Sequence, residues 1–108
     1  MNINMADTKT KADVRSRIEP RANLKEPSDY NVIYINDEVT TMEFVIESLT
    51  SVFNYARESA EALTHRVHDE GSAVVATLPY EMAEQKGIEV TLLARNNGFP
   101  LSVKIESE

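Results

Sequence analysis

Val32, Ile33, Tyr34 and Ile35 form an unbroken run of β-branched and aromatic side chains, and Asn36-Asp37-Glu38 ends it abruptly. Such a run packs on a pleated sheet and carries no helical face, so it reads as a buried strand. The three residues behind it favour turns. Thr40 followed three positions later by Glu43 then has the form of a capping box. Beyond it Met42, Val45, Ile46, Leu49, Val52 and Phe53 recur at helical spacing, which predicts a helix over 41–53. This strand, polar turn and capped helix constrain everything that follows.

The rest of the chain divides by the same signals. Asn54 can end the first helix or cap the next. Ala60, Leu63, Thr64, Val67 and His68 share one stripe of a second helix over 56–70, and Gly71 supplies a left-handed exit. Residues 72–78 read as a strand. Pro79 suits the opening of a third helix over 80–97, where its missing N–H costs nothing. Ala83, Val90, Leu93 and Ala94 point inward on that helix, and Gly98 stops it. Gly87 weakens it by about 1 kcal/mol relative to Ala and allows a close approach. Leu101, Val103 and Ile105 then alternate with polar residues in a last strand. The order is β-α-α-β-α-β. Three strands cannot cover helices on both faces, so the expected class is α+β: a three-stranded antiparallel sheet packed on three helices in two layers.

Charge separates the domain from what precedes it. Residues 1–27 carry six basic and four acidic side chains, net +2, whereas residues 28–108 carry net −9. The first segment lacks sustained periodicity and has prolines at 20 and 27, so a mobile tail is expected ahead of one core domain over 28–108. A chain of 108 residues supports one core. The absence of cysteine excludes a disulfide scaffold and thiolate zinc sites. The acidic balance argues against a nucleic-acid partner, which needs a basic face. No apolar run reaches the roughly 18–20 residues of a membrane span. The first twenty residues hold no apolar block, so neither a membrane partner nor a secretory leader is expected, and a cytoplasmic location is.

Catalytic signatures are missing. The chain has no Gly-rich phosphate loop, no nucleophile elbow and no zinc-protease helix. His65 and His68 lie three apart on the second helix and, with Asp37, are the nearest approach to a metal hydrolase. Without a third matched ligand or a nucleophile they read as an exposed residue and a boundary residue. No enzyme activity, cofactor or metal is expected. Asn36-Asp37 reads first as an Asx turn, with presentation of both side chains to a cleft between strand and helix as the functional alternative.

Four separated segments then resemble one family. The segment from Val32 to Val45, with Asn36-Asp37-Glu38-Val39-Thr40-Thr41-Met42-Glu43-Phe44-Val45, is similar to the signature of the ClpS adaptors. Val67-His68 ahead of Gly71 resembles their Val-His-x-x-Gly. Glu81 to Lys86, and Phe99-Pro100-Leu101, resemble their third-helix start and last-strand opening. The resemblance spans about residues 27–106 and implies an adaptor that binds proteins with N-terminal Leu, Phe, Tyr or Trp. It also implies delivery of these proteins to the N-terminal domain of a Clp AAA+ unfoldase, ClpA- or ClpC-like, by a monomer. A relative that only occupies the unfoldase is the alternative.

Position by position, the resemblance implies that Asn36, Asp37 and His68 hold the α-amino group. Glu38 and Thr40 hold the following backbone, and Ile35, Met42, Val45, Thr64, Val67 and Leu101 form the side-chain pocket. Glu81 and Lys86 dock the unfoldase. An α-ammonium has three donors, and an amide oxygen, a carboxylate and a neutral imidazole supply acceptors. Thr41 stands where the family has Pro, and Glu38 where Asp is commoner. Thr64 replaces a usual Met, which enlarges the pocket, adds a hydroxyl and makes residue preference the feature to test.

Overall fold

The computed structural model describes residues 28–108, so the expected mobile tail over 1–27 lies outside the described residues. The elements run β1 (Asp29–Ile35), α1 (Met42–Phe53), α2 (Arg57–Glu70), β2 (Ser72–Pro79), α3 (Tyr80–Asn96) and β3 (Ser102–Ser107). The strands form one antiparallel sheet in the order β2-β1-β3, the expected α+β arrangement. Among the described residues no helix is long and apolar enough to cross a membrane.

β1 is the central strand, which explains its run of large apolar residues. Val32 and Tyr34 are fully buried under the helices, while Ile33 and Ile35 on the opposite face are only half-buried. The sheet has one covered face, so apolar continuity in β1 does not mean burial on both sides. The Tyr34 hydroxyl donates to Ser48 Oγ at 2.8 Å, and Ser48 in turn donates to the Val45 carbonyl at 2.8 Å. Burial pushes the Tyr34 pKa far up, so the hydroxyl remains a donor and this buried pair ties β1 to α1.

The helix boundaries follow local chemistry, with one correction. The N-cap of α1 is Thr41, whose Oγ1 accepts from the Phe44 N–H at 3.1 Å, and not Thr40 as the Thr40–Glu43 spacing suggested. The Thr40 hydroxyl is instead turned into the preceding loop, where it donates to Asp37. Asn54 ends α1 in the left-handed region (φ 63°), and Gly71 ends α2 likewise (φ 89°). Ala83, Gly87, Val90 and Ala94 form the buried stripe of α3. A Cβ at Gly87 would stand 3.2 Å from Ile105 Cδ1, so glycine there lets α3 sit close on β3.

Candidate functional site

The loop between β1 and α1 is shaped by Asp37. Its Oδ1 accepts from the N–H groups of Val39 (2.8 Å) and Thr40 (2.7 Å), and its Oδ2 accepts from the Thr40 hydroxyl (2.8 Å). This is the Asx turn expected from the sequence. Burial pulls the Asp37 pKa upward, but the Thr40 N–H and hydroxyl, the Val39 N–H and the Arg95 charge outweigh it. The carboxyl is held below its usual range. Next to it the Asn36 N–H donates to the Gly71 carbonyl at 2.9 Å, which fastens the end of β1 to the turn after α2.

That fastening brings together segments about thirty residues apart. Asn36, Asp37, Glu38 and Thr40 from the loop, Met42 and Val45 from α1, and Thr64, Val67 and His68 from α2 line one cleft of about 310 Å³. Val45, Thr64 and Val67 are buried, whereas Asn36, Glu38 and His68 are exposed, so an apolar base lies beneath a polar rim. Asp37 therefore fills both roles weighed from the sequence: it closes the turn and faces the cleft. The volume is at the small end for ligand pockets, which suits one side chain rather than a length of peptide.

Two expected pocket residues stand apart. Leu101, 1% exposed, belongs to the core cluster, and Ile35 is half-buried at the end of β1; neither lines the cleft. Thr64 lines it with its hydroxyl already engaged, donating to the Ala60 carbonyl at 2.7 Å. His65 is exposed one turn from His68 and outside the cleft. Glu81 is exposed at the start of α3, while Lys86 lies 3.7 Å from Glu89 and is largely covered. Five residues of helix turn these two about 140° apart.

Sequence reasoning missed Arg95. From the last turn of α3 its Nη1 donates to the carbonyls of Phe99 (3.1 Å) and Leu101 (3.0 Å), and its charge acts on Asp37. A basic residue in the final turn of a helix, three positions before a glycine, was the available signal. It fixes the chain into β3, where the Phe99 ring lies 5.1 Å from that of Phe44.

Comparison with known proteins points to one family. Residues 25–104 match the family model of the ATP-dependent Clp protease adaptor protein ClpS. The ATP-dependent Clp protease adapter protein ClpS of Treponema denticola is 44% identical over 81 residues, covering 75% of this chain and 80% of that one. Its counterpart from Sodalis glossinidius is 45% identical over 83 residues, covering 77% and 78%. Among solved structures, Agrobacterium tumefaciens ClpS2 bound to L-phenylalaninamide superposes with a TM-score of 0.75 at 36% identity, over 77% of this chain and 100% of that one. With the family model covering most of its length and the fold shared, the chain belongs to the ClpS family of Clp protease adaptors.

Proposed function

We propose that this adaptor binds the free N-terminus of proteins beginning with Leu, Phe, Tyr or Trp and delivers them to a Clp AAA+ unfoldase. The observation that carries the reading is the cleft in which polar acceptors rim a buried apolar base. The ammonium donates to the Asn36 amide oxygen and to a neutral His68 nitrogen, and its third proton faces the Asp37 carboxylate. Both lone pairs of Asp37 Oδ1 and one of Oδ2 are already used within the loop. Asp37 therefore contributes its charge and one remaining lone pair, directly or through a water. Glu38 and Thr40 meet the backbone of the next residue.

The first side chain enters between Met42, Val45, Thr64 and Val67, where burying a Leu or Phe contributes about 1.5–3 kcal/mol. The relative from Agrobacterium was solved with L-phenylalaninamide, a ligand with a free α-amino group, a benzyl side chain and a carboxamide in place of the next peptide bond. Those three parts match rim, base and loop here. An acetylated terminus loses the charge and leaves the acceptors unpaired, so selectivity for free termini follows from chemistry rather than shape alone.

Delivery rests on Glu81 and Lys86 as contacts for the N-terminal domain of the unfoldase, and on residues 1–27 as the segment the motor engages. The test is a titration of a Phe-initiated peptide against its acetylated twin. Saturable binding of the free form and none of the acetylated form is expected; equal binding of both overturns the reading.

A further inference from the structure

Behind the loop 36–40 lies a second hollow that the adaptor reading does not use. Strand pairing puts it there. Ile35, the last residue of β1, stands opposite Ser102, the first of β3, so the loop leaving β1 and the chain entering β3 run side by side. Val39 on the loop, with Arg95, Gly98, Phe99 and Pro100 across from it, lines an open hollow of about 420 Å³. Asn36, Asp37, Glu38 and Thr40 line the cleft instead, and no residue lines both. The loop is therefore a wall shared by two hollows, and Val39 is its one residue on the outer side.

Both sides of the outer hollow are fixed by the fold. Asp37 Oδ1 holds the Val39 N–H at 2.8 Å, and the Val39 side chain is left 59% exposed. Opposite it the Phe99 N–H donates to the Ala94 carbonyl at 2.9 Å, Arg95 Nη1 donates to the Phe99 carbonyl at 3.1 Å, and the Phe99 ring packs on Phe44. Walls already held in place accept an apolar group at little cost in ordering.

A chain held in the cleft supplies that group. With its first side chain in the cleft and its second residue met by Glu38 and Thr40, the second residue lies against Val39, the position between them. Successive side chains of an extended chain point to opposite sides, and their Cα atoms are only about 3.8 Å apart, so the second side chain turns out of the cleft across this wall. The carboxylates of Asp37 and Glu38 flank that crossing and disfavour an acidic group. A valine, an aromatic ring and a proline favour an apolar one, and the Arg95 guanidinium offers a planar face to a ring.

We propose that this hollow is a subsite for the second residue of the bound protein, selecting a bulky apolar side chain there over a small or acidic one. The inference rests on the cleft holding the first residue, as proposed above.

Fluorescence anisotropy of the full chain with matched Phe-initiated peptides, carrying Leu, Trp, Ala or Asp as second residue, tests the proposal. Leu and Trp should bind about three- to tenfold more tightly than Ala, the size expected for partly burying one apolar side chain, and Asp more weakly than Ala. The same Leu moved to the fifth position should give no gain. Val39→Ser, a change at an exposed side chain whose folding circular dichroism checks, should bring the ratio of Leu to Ala toward one. A ratio near one in the native chain, an equal gain from Leu at the fifth position, or a ratio that survives Val39→Ser overturns the subsite. If free peptides still bind and their acetylated twins do not, the cleft reading stands without it. Failure of every free peptide to bind overturns both.

Discussion

Under the proposed function Thr64 sets this chain's selectivity, and Thr64→Met is the perturbation that tests it. Thr64 is 2% exposed and lines the cleft, so a longer side chain has no route to solvent and must extend into the cavity. A Met takes up roughly 40 Å³ more than a Thr, which at about 24 cal/mol per Å³ of filled cavity is worth about 1 kcal/mol. Against the 310 Å³ of the native cleft this is a modest loss of room for an aromatic ring. For Leu, which leaves that volume empty in the native protein, it is a gain in contact.

The hydroxyl adds less than its presence suggests. It already donates to the Ala60 carbonyl, so an apolar ligand does not leave it unsatisfied, and only its lone pairs remain for a Tyr or Trp donor. Native protein should therefore bind Phe-, Tyr- and Trp-initiated peptides more tightly than Leu-initiated ones by about 0.5–2 kcal/mol, chiefly through the void. Thr64→Met should narrow or reverse that order. Fluorescence anisotropy with matched peptides differing only in the first residue measures both. Equal affinities for Leu, Phe and Trp, unchanged in Thr64→Met, would refute the argument.

Four further outcomes follow from the same geometry. Asn36→Ala should weaken binding of a Phe-initiated peptide by about 1–3 kcal/mol through loss of a charge-assisted hydrogen bond, and unchanged affinity in titration calorimetry would remove Asn36 from the ammonium site. His68→Ala should weaken binding of the same peptide by removing a ring acceptor, and unchanged affinity would remove His68 from the ammonium site. Reversing the charges of Glu81 and Lys86 together should abolish capture by the Clp N-terminal domain while peptide affinity stays intact; normal capture would place docking elsewhere. Deleting residues 2–25 should leave peptide affinity unchanged but stop accelerated degradation of a Leu-initiated reporter, and full delivery by the truncated chain would make that segment dispensable.

Element order was legible from periodicity and punctuation because those signals are local. The run from Val32 to Ile35, the stripe from Met42 to Phe53 and the exits at Asn54 and Gly71 each need only neighbouring residues to be understood. Even so, two adjacent threonines could each cap α1; in the fold Thr41 does so while the Thr40 hydroxyl turns to Asp37.

What only the tertiary structure decided concerns what lies opposite each inward face. Periodicity marks Val45, Thr64, Val67 and Leu101 alike as inward, yet the first three border the cleft and Leu101 does not. A repeat reports the direction of a side chain and not whether the space it enters is already occupied. The joining of loop 36–40 to the end of α2 through Asn36 and Gly71, and the Arg95 charge on Asp37, are long-range contacts with no local signature. The same holds for Val39, Phe99 and Pro100. Their places in a turn and at a strand entry are plain in the sequence, but only the pairing of β1 with β3 sets the two segments beside one hollow, because strand order depends on pairing across the whole fold.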